Sequence, residues 1–229
     1  MRILAIGAHP DDLEIYAFGT LGAWVEMGAR LTLAVATDGA RGGALPAARL
    51  RDIRQRETIA ALAPLGCGEP VMLGFADGAL SSTSGLHAAL TDLVADSRPD
   101  LILTHAANDY HEDHRALSAA VDAAANFTAP VLAMDTMNGT GFAPTFWVDV
   151  TRHWPAKEQA IRTHQSQDPE RFIDACNRQG AFRAGECNGS PQSRAEAFRY
   201  EPRFPFADIR ALLPPAPPLS PIRPRGPRT

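Results

Sequence analysis

The chain has 229 residues, a formal net charge of -4 and an isoelectric point near 6.0. A chain of this length buries about 70% of its unfolded surface around one core, so a single domain is the default expectation. The slightly acidic balance gives no electrostatic reason to expect nucleic acid or an anionic membrane as a partner, and it favours a small molecule.

Three cysteines, none of them in a CxxC spacing, indicate neither a disulfide framework nor a thiolate zinc site. The apolar run at the N-terminus is far shorter than the core of a signal peptide. No apolar stretch approaches the roughly 20 residues of a membrane span. We therefore expect a cytoplasmic protein without a membrane segment, and the composition leaves a homo-oligomer open.

From Arg2 to about Pro130, short β-type runs alternate with longer helical patterns. The predicted strands cover residues 2–6, 31–36, 70–73 and 100–104. The predicted helices cover residues 16–28, 47–65, 85–97 and 115–126, with Gly66 as a stop signal after the second. This alternation predicts an α/β fold with a mainly parallel sheet flanked by helices.

Beyond residue 130 the apolar segments become shorter. Residues 131–134 and 146–148 predict edge strands beside an active-site rim, and residues 151–164 and 169–180 predict two further helices. The last sixteen residues, from Pro214, contain seven prolines and three arginines. Such a composition cannot form a packed core and is typical of a disordered tail.

Two polar clusters each follow a predicted strand. The string Ala8-His9-Pro10-Asp11-Asp12 stands between the first predicted strand and the first predicted helix, and His111-Glu112-Asp113-His114 follows the strand predicted over 100–104. Open α/β sheets bind their ligands at the carboxyl ends of the strands. We therefore expect the two clusters to lie together and to form a divalent-metal site.

A catalytic zinc site commonly has three protein ligands and one position open for water or substrate. His9 and Asp12 are three residues apart at the start of a turn, a separation that allows both side chains to reach one point. His114 can join them from another loop of the sheet. Two histidines and one carboxylate suit Zn²⁺ and also Fe²⁺, so this pattern by itself does not choose the metal.

The remaining polar residues predict the proton transfers of metal-assisted hydrolysis. Asp11 is the predicted general base, His111 the predicted donor to a developing oxyanion, and Asp113 the predicted group that orients His111. On another interpretation, Asp11 or Asp12 only caps the first helix. The acidic residues of the second cluster then only favour the positive end of a helix dipole.

The two clusters resemble those of the PIG-L/LmbE-like N-acetylglucosaminyl deacetylases. Weaker similarities are Thr37-Asp38-Gly39 with Gly42-Gly43, Arg54 with Glu57, Phe142-Ala143-Pro144 through Val148-Asp149-Val150, His164-Gln165-Ser166-Gln167, and Ala195-Glu196-Ala197-Phe198. The resemblance runs from about residue 2 to 212. It implies a deacetylase domain over 1–212, followed by a Pro/Arg-rich tail over 213–229. One departure is Gln179-Gly180, where members of the family often have Arg-Gly.

The resemblance implies a Rossmann-like sheet and one zinc ion held by His9, Asp12 and His114. It also implies metal-dependent hydrolysis of the N-acetyl group of an N-acetylglucosamine conjugate or a related amino sugar. In this reaction Asp11 would act as general base and then as acid, while His111 would stabilise the oxyanion.

Five residues are candidates for contact with the substrate. The resemblance implies that Arg54 reaches a substrate hydroxyl or phosphate, although a run of arginines is typical of a solvated helix face. Asn108 and Tyr110 lie on the loop that leads into the second cluster, where binding residues are common. Asp38 supports the site or simply forms a turn, and His164 lines the pocket or packs at a helix end.

Three alternative functions stay open from the residues. A hydrolase of another amide or of an acyl ester would keep the same metal site. A nucleotide-binding protein is disfavoured, because Gly7-Ala8-His9-Pro10 stands where a GxGxxG run is needed. A noncatalytic sugar-binding module is disfavoured because it would have no need of Asp11.

Overall fold

The first strand sends alternate side chains to opposite faces of a sheet. In β1 (Arg2–Gly7), Ile3 and Ala5 belong to one hydrophobic cluster, and Leu4 and Ile6 belong to another. The computed structural model describes residues 1–222 and places helices over both faces. A strand buried on both sides is what a mainly parallel sheet requires.

Among residues 1–222, seven strands form a single sheet. After β1 they are β2 (Arg30–Thr37), β3 (Val71–Phe75), β4 (Leu101–Thr104), β5 (Val131–Met134), β6 (Phe146–Asp149) and β7 (Ala195–Arg199). Their order is β3-β2-β1-β4-β5-β7-β6. The first five strands pair in parallel, and β7 pairs antiparallel with both β5 and β6. The predicted α/β class with a mainly parallel sheet is therefore confirmed.

In the described part of the chain, six α-helices cover the sheet: α1 (Asp12–Glu26), α2 (Ala47–Leu62), α3 (Leu86–Ser97), α4 (Glu112–Ala125), α5 (Trp154–Arg162) and α6 (Pro169–Glu186). The helices α1, α2, α5 and α6 share the cluster that contains Trp24, and α3 and α4 share the cluster that contains Leu90. Within the described residues, none of the helices combines the length and the apolar character of a membrane span. The cytoplasmic location stays a prediction.

Each helix predicted from the sequence is present, but the bounds differ. Helix α1 begins at Asp12 and α4 at Glu112, earlier than predicted, because their first turns contain acidic residues that the apolar pattern does not reveal. Acidic side chains are favourable at these helix N-termini. The helix predicted over 151–164 begins with a 3-10 turn, Thr151–His153, and α6 continues to Glu186.

The position predicted for β5 is wrong. It was expected at an edge, but β7 lies between β5 and the true edge strand β6. No strand was predicted for β7, because its sequence places the charged Glu196 among apolar residues. In the structure Glu196 is buried with them. The charged residue therefore interrupts the apolar pattern of a strand that is covered on both faces.

A buried ion pair explains why Glu196 is tolerated there. Lys157, the single lysine of the chain, lies 2.5 Å from Glu196 and donates a second hydrogen bond to the Ile15 carbonyl at 2.7 Å. The Glu196 carboxylate also accepts the backbone N–H groups of Gly19 and Thr20, at 3.0 and 2.8 Å. This network joins α5 and β7 to α1, the helix that begins at the first polar cluster.

The described part of the predicted tail lies against the body of the protein. Asp149 in β6 donates its backbone N–H to the Pro215 carbonyl at 2.9 Å, and the Asn188 amide donates to the Ser220 carbonyl. The segment 213–222 thus contacts β6 and the loop after α6, although its composition is typical of disorder. Residues 223–229 of the predicted tail lie outside the described residues.

We expect Lys157→Met to destabilise the fold, because it leaves the Glu196 carboxylate buried without its counter-charge. Removal of one partner of a buried pair costs about 3–5 kcal/mol. Urea denaturation followed by circular dichroism measures this loss as a change in the free energy of unfolding. The control is Arg152→Met, which breaks an exposed pair with Glu26 and should cost about 1 kcal/mol or less. Equal losses in the two variants would contradict the structural role of Lys157.

Candidate metal centre and active site

The carboxyl ends of β1, β3 and β4 lie at the same edge of the sheet, because these strands run parallel. The loops that follow them enclose a cavity of about 320 Å³. Most of the predicted site residues line it: His9, Asp11, Asp12, Arg54, Tyr110, His111 and His114. Because open α/β sheets bind ligands at this edge, the cavity is the candidate active site.

The three predicted ligands turn their donor atoms toward one another. His9 Nδ1 lies 3.2 Å from His114 Nε2 and 3.4 Å from Asp12 Oδ2. His114 Nε2 lies 3.4 Å from Asp12 Oδ1. The side chains therefore converge on one point, although they come from two polar clusters that are about a hundred residues apart.

Carboxylates also face the outer nitrogen of each histidine. His9 Nε2 lies 3.2 Å from Asp113 Oδ2 and 3.4 Å from Asp77 Oδ1. His114 Nδ1 lies 3.1 Å from Asp109 Oδ1. A carboxylate at the outer nitrogen keeps the proton on that side of a neutral ring. The inner nitrogens of both rings then present their lone pairs to the common point.

A divalent cation fits this arrangement. Ligand atoms at about 2.0–2.1 Å from zinc in tetrahedral geometry lie about 3.3–3.4 Å apart, close to the spacing of these donor atoms. The electrostatics agree: burial lowers the pKa of His9, but hydrogen bonds with Asp113 and two further carboxylates raise it, to about 12. The surrounding carboxylates therefore favour a positive charge here, and the donor set suits Zn²⁺ or Fe²⁺.

His105 belongs to the same cluster, although no motif predicted it. Its Nε2 atom lies 3.0 Å from Asp12 Oδ2 and 3.0 Å from the Ala8 backbone nitrogen. Its ring stacks on His114 with the centroids 3.7 Å apart. Burial and the neighbouring His114 lower the pKa of His105 to about 4. His105 is therefore a neutral ring that packs against two of the predicted ligands.

His111 occupies the N-cap position of α4, where its Nδ1 accepts the backbone N–H of Asp113 at 3.2 Å. Burial and the nearby His9 and His114 lower the pKa of His111, so its ring is neutral near pH 7. Since Nδ1 is an acceptor, the proton is on Nε2. A neutral His111 is thus a hydrogen-bond donor on the cavity wall.

The expected role of the Asp113 side chain needs correction. It was expected to orient His111, but its carboxylate faces His9 and accepts the backbone N–H groups of Gly78 and Leu80, at 2.6 and 3.0 Å. The backbone of Asp113, not its side chain, fixes the His111 tautomer. The reason is the start of α4, which turns the carboxylate toward the loop after β3.

Asp11 has a strained backbone, with φ 122° and ψ -20°. Such a conformation is uncommon for any residue other than glycine and costs about 1–3 kcal/mol. Although Asp11 stands at the N-cap of α1, its side chain makes no capping hydrogen bond. The simple helix-cap interpretation therefore fails for Asp11, whose carboxylate faces the cavity instead.

Arg54 holds this strained turn. Its guanidinium donates to the Asp11 carboxylate at 3.0 Å, to the Pro10 carbonyl at 2.5 Å and to the Gly39 carbonyl at 3.0 Å. Burial raises the pKa of Asp11, Arg54 lowers it and Asp12 raises it again, with a result of about 6. Arg54 thus positions Asp11 and limits the rise of its pKa.

Two glycines leave room for the Arg54 guanidinium. A Cβ atom on Gly39 would lie 2.9 Å from Arg54 Nη1, and one on Gly42 would collide with the same atom. Gly43 differs, since its Cβ would lie 3.4 Å from the nearest atom, on Leu50. The glycines at 39 and 42 therefore let the loop after β2 close over Arg54.

The predicted substrate contacts divide into two groups. Arg54 and Tyr110 line the cavity. Asp38, Asn108 and His164 lie outside its lining, because neighbouring groups occupy their polar atoms. Asp38 accepts the backbone N–H groups of Ala40 and Asp77, the Asn108 amide bonds to Gly141 and Arg199, and buried His164 lies 2.9 Å from Glu14.

Other residues of the site were missed by the motifs. His105, Asp77 and Asp109 each follow a strand within five residues of its end. Their position after a strand was the available signal, because polar residues there face the same sheet edge. Arg41, four residues after the end of β2, carries the same signal. Further wall residues do not: Tyr16, Met137, Gln167 and Phe172.

The sequence model of one known protein family matches the part of the chain that contains both polar clusters. The sequence model described as PIG-L, GlcNAc-PI de-N-acetylase, matches residues 4–125, a range that contains both of them. The chain belongs to the PIG-L family. The resemblance inferred from the motifs is therefore confirmed, while the role of each site residue stays a prediction.

Individual relatives of this PIG-L family chain are distant. The 1D-myo-inositol 2-acetamido-2-deoxy-alpha-D-glucopyranoside deacetylase of Mycobacterium sp. (strain KMS) is 28% identical over 191 residues, which cover 67% of this chain and 61% of that relative. The chain therefore spans less than two thirds of the length of this relative.

Two solved structures share the fold. The N,N'-diacetylchitobiose deacetylase of Pyrococcus horikoshii has a TM-score of 0.75 at 24% identity, and the match covers 87% of this chain and 83% of that one. GalB, the 4-carboxy-2-hydroxymuconate hydratase of Pseudomonas putida KT2440, also has a TM-score of 0.75, at 20% identity, and covers 88% and 97%. A deacetylase and a hydratase share this fold, so the fold alone does not choose the reaction.

We expect the metal-stripped protein to bind about one Zn²⁺ per chain, because within residues 1–222 every group of three donor side chains close enough to hold an ion includes His9 or His114. His114→Ala should lower the affinity by more than about 100-fold, beyond what the loss of an outer partner causes. Asp11→Asn is the control, since its carboxylate bonds to Arg54 rather than to the predicted ligands. Isothermal titration with Zn²⁺ measures both variants. Comparable loss of binding in both would contradict this ligand set.

Proposed function

We propose that this protein is a metal-dependent hydrolase that removes the N-acetyl group of an N-acetylglucosamine conjugate or a related amino sugar. The observation that carries the proposal is the convergence of His9, Asp12 and His114 beside Asp11, a carboxylate that is held apart from them. Membership of the PIG-L family and the activity named for the mycobacterial relative support the choice of an acetamido sugar.

In this proposal His9, Asp12 and His114 hold a divalent cation. When bound, such an ion lowers the pKa of water and polarises a carbonyl oxygen. The outer carboxylates keep the two imidazoles in the tautomer that binding requires. The substrate amide then enters through the open side of the cavity.

Asp11 is the proposed general base and acid. Its carboxylate takes a proton from the attacking water as the new C–O bond forms at the acetyl carbon. Asp11 then delivers this proton to the leaving nitrogen as the C–N bond breaks, so the products are acetate and a free amine. A pKa near 6 suits both tasks, because catalytic acids and bases work best when their pKa is close to the operating pH.

His111 is the proposed stabiliser of the oxyanion. Its Nε2–H group is available because Nδ1 accepts the Asp113 backbone N–H. Negative charge develops on the acetyl oxygen when water attacks, and a fixed donor at that position stabilises the transition state more than the substrate. Because the tautomer is fixed before the substrate binds, His111 needs no rearrangement during the reaction.

We expect the Zn²⁺-loaded protein to release acetate from small N-acetylglucosamine glycosides. Asp11→Asn should lower kcat by about 10²–10⁴-fold, the usual contribution of a general base, while it still binds Zn²⁺. Chelation should abolish acetate release, and added Zn²⁺ should restore it. Full activity of the chelated protein would overturn the proposal. A parallel panel of acyl esters and other amides distinguishes the deacetylase from a hydrolase of another bond.

A second prediction concerns the Arg54 contact with Asp11. Gly42→Ala should lower kcat because the new methyl group displaces the guanidinium that positions the base, and Zn²⁺ affinity should not change. Gly43→Ala is the matched control, since its Cβ meets only an ordinary contact with Leu50. Assays of acetate release measure kcat for both variants, and isothermal titration with Zn²⁺ measures their metal affinity. Equal activity in the two would show that Arg54 does not act through this loop.

A further inference from the structure

We propose that Arg41 binds an anionic group, a carboxylate or a phosphate, on the aglycone of the substrate. The inference rests on the proposed function and adds the chemical class of the group that is attached to the amino sugar. Arg41 lines the same cavity as the predicted metal ligands. It therefore places a permanent positive charge on the cavity wall.

The backbone fixes the place of Arg41 in the site. Its backbone N–H donates to Asp77 Oδ2 at 2.9 Å, and Asp77 Oδ1 lies 3.4 Å from His9 Nε2. The Asp77 carboxylate thus connects the backbone of Arg41 to His9, one of the predicted metal ligands. The side chain starts from this anchored position and extends along the cavity wall.

A glycine makes room for the guanidinium. Gly78 has φ 74°, and a Cβ atom there would lie 2.5 Å from Arg41 Nη1 and 3.2 Å from its Cδ. Any other residue at 78 would push the guanidinium from this position. The loop after β3 thus accommodates Arg41 as closely as the loop after β2 accommodates Arg54.

The two arginines of the cavity differ in their partners. Arg54 is buried, and its guanidinium already bonds to a carboxylate and two carbonyls. The Arg41 side chain is exposed and makes one long hydrogen bond, 3.4 Å to the Gly78 carbonyl. Within residues 1–222, no carboxylate lies within ion-pair distance of it. Arg41 is therefore the arginine of the wall that is available to a ligand.

The carboxylates of the cavity do not compete for this charge. Asp11 bonds to Arg54, Asp12 lies among three histidines, and Asp77 faces His9 and the Arg41 backbone. These three carboxylates thus already have partners at the site where the acetyl group would react. An incoming carboxylate or phosphate would find its best partner in the guanidinium, which matches the geometry of both anions.

The test compares three N-acetylglucosamine glycosides that differ only in the aglycone: ethyl, carboxymethyl and phosphonomethyl. Isothermal titration of the Zn²⁺-loaded protein measures their binding, and acetate assays measure KM and kcat. We expect at least one anionic glycoside to bind about tenfold more tightly than the ethyl glycoside. Arg41→Gln should abolish this preference, and the loss should appear in KM for the anionic glycosides rather than in kcat.

Arg30→Gln is the matched control, because Arg30 is an exposed arginine at the amino end of β2, opposite the cavity. It should keep the preference for the anionic glycoside. The inference is overturned if the wild type binds all three glycosides equally, or if Arg41→Gln keeps the preference. If acetate is released but the anionic glycosides bind no more tightly than the ethyl glycoside, only the Arg41 inference is contradicted. If the anionic glycosides bind more tightly but no acetate is released, only the deacetylase proposal is contradicted.

Discussion

The site depends on how buried carboxylates are compensated at one edge of the sheet. Asp11, Asp12, Asp109 and Asp113 are almost fully buried, where an unpaired charge would be costly. Histidines, Arg54 and backbone N–H groups face these side chains, and a cation fits where the inner donor atoms meet. These contacts hold the carboxylates in place, because each of the four faces at least one such group.

Two adjacent aspartates have different chemistry as a result. Asp12 begins a regular helix and points toward three histidines. The left-handed backbone of Asp11 turns its side chain the other way, to Arg54. Burial raises the pKa of Asp11, and so does the negative charge of Asp12. Arg54 limits this rise. The strain in one residue thus separates a predicted ligand from a predicted base, and Arg54 with Gly42 maintains that separation.

Much of this arrangement could be predicted from local patterns. Short apolar runs indicated the parallel strands, and the two polar strings after β1 and β4 indicated which residues meet. The motifs did not indicate β7, because Glu196 breaks its apolar pattern and its partner Lys157 is distant in sequence. They also missed His105, an isolated histidine without a spacing signature. The orientation of Asp113 could not be predicted, since it depends on the Gly78 and Leu80 backbone.

The sequence by itself determined the fold class, the family and the set of polar residues at the strand ends, because these depend on periodicity and on short motifs. Only the tertiary structure decided which partner each side chain has. Arg54 meets Asp11, Asp113 meets His9, and Arg41 lies along the cavity wall beside Gly78. Such pairings depend on loops that the sheet brings together from distant segments, and no local spacing encodes the distance between them.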